Sequence, residues 1–162
     1  MLFFPRRRVG GFGLWVMIGL LLAALFLATS SGNGTTAALG LVAVLSCAVL
    51  FLVAPLSTLY LARPEGLWVR WLLGWRAWPR AAIRGVGVRE FRLMWRVMGL
   101  GVPGAAQGWF NERELGRVEA YVDQGSGLGV VLELADGHCV ILTPADLEGF
   151  LDYLRRQGYP VA

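Results

Sequence analysis

Two long apolar stretches without a single charge constrain this chain more than any other feature. The first runs from about 12 to 28 and the second from about 37 to 56. A membrane-spanning helix needs about 20 predominantly apolar residues, and with its flanks each stretch reaches that length. Between them lies Ser30-Ser31-Gly32-Asn33-Gly34-Thr35-Thr36, a polar, uncharged turn. Arg6, Arg7 and Arg8 precede the first stretch; Arg63, Arg70, Arg76, Arg80 and Arg84 follow the second. Positive outer flanks around a neutral loop put both termini in the cytoplasm and the loop outside. The expectation is therefore an arm and two-helix membrane hairpin over 1–56, followed by a cytoplasmic domain over 57–162. Gly19, Ala23, Ala24, Gly40, Ala43 and Ser46 are small enough to let the two helices approach closely.

Residues 1–31 also fit, loosely, a cleaved leader ending at Ala28-Thr29-Ser30. The length of the apolar core and the second stretch close behind it favour retained spans. The composition agrees with a membrane protein: 56% hydrophobic residues and only 16% charged, against roughly 25% charged in an ordinary soluble domain. Such a chain is not a disordered tail. The net charge of +4 is uneven. Residues 1–96 hold eleven Arg against Glu65 and Glu90, whereas residues 97–162 hold four Arg against nine acids. A basic front half suits anionic headgroups. Because its arginines flank the apolar stretches, membrane topology accounts for them and a nucleic-acid partner is not expected.

After Pro55 the pattern changes to strands. Leu59, Leu61 and then Leu67, Val69, Trp71 alternate around Arg63-Pro64-Glu65-Gly66, a hairpin signal. Gly74 marks a second turn. A third strand spans 76–83, with Pro79 suited to an edge or bulge, and a fourth spans 86–93. Residues 98–108 read as irregular and Gly-rich. Strands at 116–122, 130–134 and 139–142 follow, the last two joined by Asp136-Gly137, a type I′ turn signal. The chain ends in a helix over about 144–157. Thr143 is the expected N-cap, with Pro144 at the first helical position. Leu147, Phe150, Leu151 and Leu154 form one apolar stripe, Arg155 and Arg156 favour the helix dipole, and Gly158 and Pro160 end the helix. The soluble part is expected to be about seven antiparallel strands and one helix, an α+β or all-β domain.

Leu59-Tyr60-Leu61-Ala62-Arg63-Pro64-Glu65-Gly66-Leu67, Gly74-Trp75-Arg76 with Pro79 and Ile83, Gly101-Val102-Pro103-Gly104 before Gly108-Trp109-Phe110, and Val140-Ile141-Leu142-Thr143-Pro144-Ala145-Asp146 leading to Phe150 and Leu154 occur in that order. The set resembles the bacterial pleckstrin-homology-like domains, many of which follow membrane hairpins. The resemblance covers about 57–162. It implies a PH-like seven-stranded barrel or sandwich capped by the C-terminal helix, at a bacterial cytoplasmic membrane, and it implies binding rather than catalysis. Phosphoinositide-binding members carry a cationic cluster in the first hairpin loop. Here Arg63 to Gly66 holds one Arg and one Glu, which argues against specific phosphoinositide recognition.

The chemistry-bearing residues are few. Gly99-x-Gly101-x-x-Gly104 spells a dinucleotide fingerprint, but Pro103 interrupts it and no βαβ unit surrounds it. His138 is the single histidine, and Cys47 and Cys139 are far apart in the chain. No catalytic triad, metal shell, cofactor or small-molecule substrate is expected. The tryptophans say more: Trp68, Trp71, Trp75, Trp78, Trp95 and Trp109 are interleaved with arginines. Indole favours the membrane interface, and guanidinium binds phosphate. Helical spacing of Trp68, Trp71, Trp75 and Trp78 allows an interfacial helix, which Gly74 and Pro79 disfavour. The candidate interface is Arg70, Trp71, Trp75, Arg76, Arg80, Arg92, Trp95, Arg96, Trp109 and Phe110, with the apolar segment 93–110 as a loop facing lipid or a partner. The expected role is a non-enzymatic adaptor or accessory subunit. It would sit in membrane lipid and bind a membrane-protein partner or a further copy of itself. The competing expectation is an anionic-lipid-sensing module.

Overall fold

A computed structural model of the chain describes residues 1–5, 18, 19, 22, 23, 26, 35, 38–46, 57–102 and 104–162. The expected spans, 12–28 and 37–56, lie largely outside the described residues. Of the second, residues 38–46 are helical, and Leu39, Leu41, Val42 and Leu45 on them are exposed. Among the described residues, no helix is long and apolar enough to cross a membrane.

The domain is built from nine strands and one helix. Strands β1 (Leu2–Phe3), β2 (Leu59–Arg63), β3 (Gly66–Trp71) and β4 (Gly74–Pro79) form a four-stranded antiparallel sheet in that order. A 3₁₀ turn at Arg80–Ala82 leads into β5 (Ile83–Val102), twenty residues long. With β6 (Ala105–Glu112), β7 (Gly116–Val122), β8 (Ser126–Leu134) and β9 (Cys139–Leu142) it closes a barrel of order β5-β6-β7-β9-β8. A strand of this length serves two neighbours: its first half pairs with β8 and its second half with β6.

Strand side chains alternate between faces, and this divides the apolar residues into two cores. Phe91, Ala106, Phe110, Val118, Ala120, Val122, Val131 and Ile141 come from all five barrel strands and fill its interior. The residues that alternate with them, Tyr121, Val130, Leu132, Val140 and Leu142, point to the outer wall. There they meet Tyr60, Leu67, Val69 and Trp78 of the first sheet and the helix. The helix, Leu147–Arg156, buries Phe150, Leu151 and Leu154, as the stripe predicts.

Four sequence expectations change. First, the strands are not all antiparallel, because β7 and β9 run parallel. Second, the segment 93–110 is not a loop. β5 continues through it to Val102, and β6 returns, pairing Gly99 with Gly108 and Leu100 with Gln107. The strand count rises accordingly. Third, the helix begins later than expected, with Asp146 as its N-cap: the carboxylate accepts from the Gly149 N–H at 2.9 Å. The Thr143 hydroxyl instead accepts from the Asp123 N–H, and Pro144 bridges to Pro5. Fourth, the N-terminal arm belongs to the domain. Phe3 is 5% exposed and packs edge-on against Phe150 at 4.9 Å, and the Ala145 N–H donates to the Phe4 carbonyl.

This last point governs how the chain leaves the domain. β1 pairs antiparallel with β2, Leu2 opposite Leu61 and Phe3 opposite Tyr60. Extended by two residues, that register brings Pro5 to the level of Thr58. The described arm thus ends at Pro5, and the described chain resumes at Ser57, at the same end of β2.

Candidate functional site

At that end one buried side chain holds three segments. Gln107 on β6 is fully buried. Its amide donates to Thr58 Oγ1 at 2.6 Å and to Ser57 Oγ at 3.4 Å, and its carbonyl oxygen accepts from the Leu72 N–H at 3.2 Å. The returning chain, the β3–β4 turn and the β5–β6 arm are therefore clamped together. A buried glutamine must satisfy both amide ends, and here each end joins a different segment.

Beyond this clamp the surface is apolar. Leu73, in the turn, is 75% exposed, and Met98, on the arm, is 64% exposed. They face a cavity of about 400 Å³ also lined by Trp71, Leu100 and Trp109. Further along the arm Met94, Trp95 and Val97 are exposed as well. Among the described residues the second half of β5 has β6 as its only neighbouring strand, whereas β6 is paired on its other side with β7 from Ala106 to Glu112. A second cavity, about 540 Å³, lies beneath Leu93–Arg96 and beside Asp123 and Gly125.

The sequence-predicted residues separate into three groups. Trp71, Arg76 and Trp109 share the first cavity. Trp75, Arg76 and Trp109 also line a groove of about 420 Å³ along the outer edge of β4. Trp95, Arg96 and Phe110 border the second cavity, although Phe110 belongs mainly to the barrel interior, where it is 5% exposed. Arg80 and Arg92 stand apart. The Arg80 guanidinium donates to the Gly158 carbonyl at 2.6 Å and lies over Tyr159, tying the 3₁₀ turn to the C-terminal segment. Arg92 is exposed on β5, its backbone N–H bound to Glu112.

Among the arginines, those already engaged differ from those that are not. Arg76 Nε meets Glu119 Oε1 at 2.9 Å, and the Tyr121 hydroxyl donates to the same oxygen at 2.6 Å. The hydrogen bond to Glu119, and then its charge, raise the Arg76 pKa; burial, and then the bond to Glu119, raise that of Tyr121. Arg76 is thus a structural ion pair. Arg70, Arg92 and Arg96 are exposed and make no ion pair among the described residues.

The chemical motifs also find their places. His138 sits on the β8–β9 turn with Nδ1 3.1 Å from Asp136 Oδ2 and its ring edge-on to Trp109. Arg117 lies over the same indole, 4.8 Å from the ring centroid. Burial raises the Cys139 thiol pKa, so the thiolate is disfavoured. Among the described residues no group of three or more His, Cys, Asp or Glu could hold a metal ion. Gly99-x-Gly101-x-x-Gly104 lies in the β5–β6 arm, where no helix opens behind it to receive a phosphate. Sequence reasoning named the apolar segment 93–110 as a whole but did not single out Met94, Val97, Met98 or Gln107 within it, and it missed Leu73.

Residues 58–158 match the family model described as a bacterial PH domain. No curated protein and no solved structure matches the chain.

Proposed function

The chain belongs to the bacterial PH domain family, and from that premise we propose that it is a non-enzymatic adaptor or accessory subunit anchored in the bacterial cytoplasmic membrane. A two-helix hairpin over about 12–28 and 37–56 anchors it. Its PH domain then receives a protein partner at the cytoplasmic face. The observation that carries this reading is the shared exit. Pro5 and Ser57, which flank the segment 6–56, lie at one end of β2, so in this reading its apolar stretches cross the membrane as a pair and return the chain to the side from which it left. The exposed Leu39, Leu41, Val42 and Leu45 support it, since leucine-rich helix surface is stable in hydrocarbon and not in water. So does the arginine on both outer flanks.

The groove beside Trp75, Trp109 and His138 runs along an unpaired sheet edge, the kind of surface to which an extended partner segment adds. Purification of the full chain in mild detergent from cells at native expression tests the partner. A stoichiometric membrane protein, or a second copy, is expected in the mass spectrum. A solitary monomer overturns the adaptor reading.

A second reading, anionic-lipid sensing, is favoured by Arg70, Arg92 and Arg96, which face outward without acidic partners among the described residues. Because Phe3 belongs to the core, the soluble version to float on liposomes should keep residues 1–5, joined by a short flexible linker to Ser57. Binding insensitive to lipid charge and to salt overturns this reading.

A further inference from the structure

We propose that the β3–β4 turn and the outer part of the β5–β6 arm lie in the lipid interface, with Leu73 and Met98 inserted among the acyl chains and Trp95 at the headgroup level. The inference rests on the anchor reading above and adds a surface to it. Large apolar side chains on a water-soluble domain are normally scattered singly. Here Leu73, Met94, Trp95, Val97 and Met98, 49% to 75% exposed, are concentrated on one turn and on the second half of β5, which has only β6 beside it among the described residues.

The occupant follows from where the chain goes. Through Gln107 the turn bearing Leu73 is one side-chain length from Thr58, the residue at which the chain re-enters the domain. Leu100, Gln107's partner across the arm, lines the same cavity as Leu73 and Met98. A domain held by a short connection at this point presents this end, and not the opposite one, to the bilayer. The opposite end of β2, the turn at Arg63–Gly66, is polar and carries Glu65. The arm's chemistry suits the interface: apolar side chains that enter hydrocarbon, an indole that favours the headgroup region, and Arg96 and Arg70 beside them for lipid phosphate.

The test uses the full chain in vesicles of zwitterionic and anionic phospholipid. Cys47 and Cys139 are replaced by alanine, and a single environment-sensitive label is placed at L73C, M98C, L45C or E65C. Leu73, Met98 and Glu65 are exposed, so labelling leaves the cores intact. Spin-labelled lipids are expected to quench the label at 45, 73 and 98 at least about twofold more than at 65. Quenching at 45 without quenching at 73 and 98 overturns the inference and leaves the anchor standing. No quenching at 45 overturns the anchor reading, and the inference with it. Labels at 73 and 98 shielded from both lipid quencher and aqueous iodide mean that protein covers the arm, which also overturns the proposal.

Discussion

At the scale of single residues, buried polar groups decide how the domain's segments join. Gln107→Leu keeps the volume but removes the acceptor of Leu72 and the donor to Thr58. Leaving buried polar groups unmade costs about 1–3 kcal/mol, and the expected result is a lower chemical-denaturation midpoint in mild detergent, read by tryptophan fluorescence. Glu112 is a second such residue, 4% exposed at the end of β6. Burial pushes its carboxyl pKa up, but backbone N–H groups of Leu115, Arg92 and Glu114 bind the charged form and more than offset this, so the net shift is downward. A depressed folded-state pKa stabilises the fold above the ordinary glutamate range, and that contribution is lost as the pH falls through the folded value. Stability measured from pH 7 downward should therefore decline in acid, with a shallower decline in Glu112→Gln. An equal slope in both proteins would show that Glu112 plays no part. Neither residue was legible in the sequence as a joint. Gln107 read only as an exception in an apolar run, because its partners lie 35 to 50 residues away.

At the scale of elements, the sequence disclosed whatever rests on local periodicity and concealed whatever rests on distant pairing. The 63–66 hairpin, a turn at Asp136-Gly137 and the stripe of the C-terminal helix follow from spacing alone, but the turn is not the expected type I′: Gly137 has φ of 84°, Asp136 is not at positive φ, and four residues connect β8 to β9. The parallel β7–β9 pair does not follow from spacing, since nothing local tells β9 to insert between β8 and β7. The β5–β6 arm was misread for a different reason. Its glycines resemble loop glycines, but Gly99 and Gly108 face each other with φ of 128° and 120°, a backbone that side chains avoid. A Cβ on Gly108 would stand 2.8 Å from the Gly99 Cα and would also crowd the Met98 carbonyl. Gly108→Ala should thus cost at least about 1–3 kcal/mol, and amide hydrogen exchange should locate the loss in the arm while the helix stays protected. The strand β1 is too short to alternate and precedes an apolar stretch that dominates its surroundings. Its contribution is Phe3, wedged against Phe150 and near Tyr153. Phe3→Ala is expected to destabilise the domain by about 3–5 kcal/mol, with exchange rising along β2 before the barrel.

At the scale of the whole molecule, the docking of β1 converts a packing contact into a constraint on topology. On the proposed anchor reading, Phe3 can be buried against the helix only if residues 1–5 and 57–162 occupy one side of the membrane. The number of crossings between residues 6 and 56 is then even. The arginines argue for the same arrangement by independent physics, since they lie on both outer flanks and are absent from 30–36. An epitope inserted between Gly32 and Asn33 is therefore expected to be reached only from outside the cell, and a label at Glu65 only from the cytoplasm. The two lines of physics are separable by experiment. Were charge alone responsible and β1 undocked, the epitope result would stand while Phe3→Ala left stability unchanged. Were the first stretch the sole crossing, residues 1–5 would face outward and Phe3→Ala would again be silent, but the epitope and Glu65 would then be reached from the same side. Only the docked hairpin predicts opposite exposure of 32–33 and 65 together with a destabilising Phe3→Ala, so the pair of measurements identifies the arrangement that neither can establish alone.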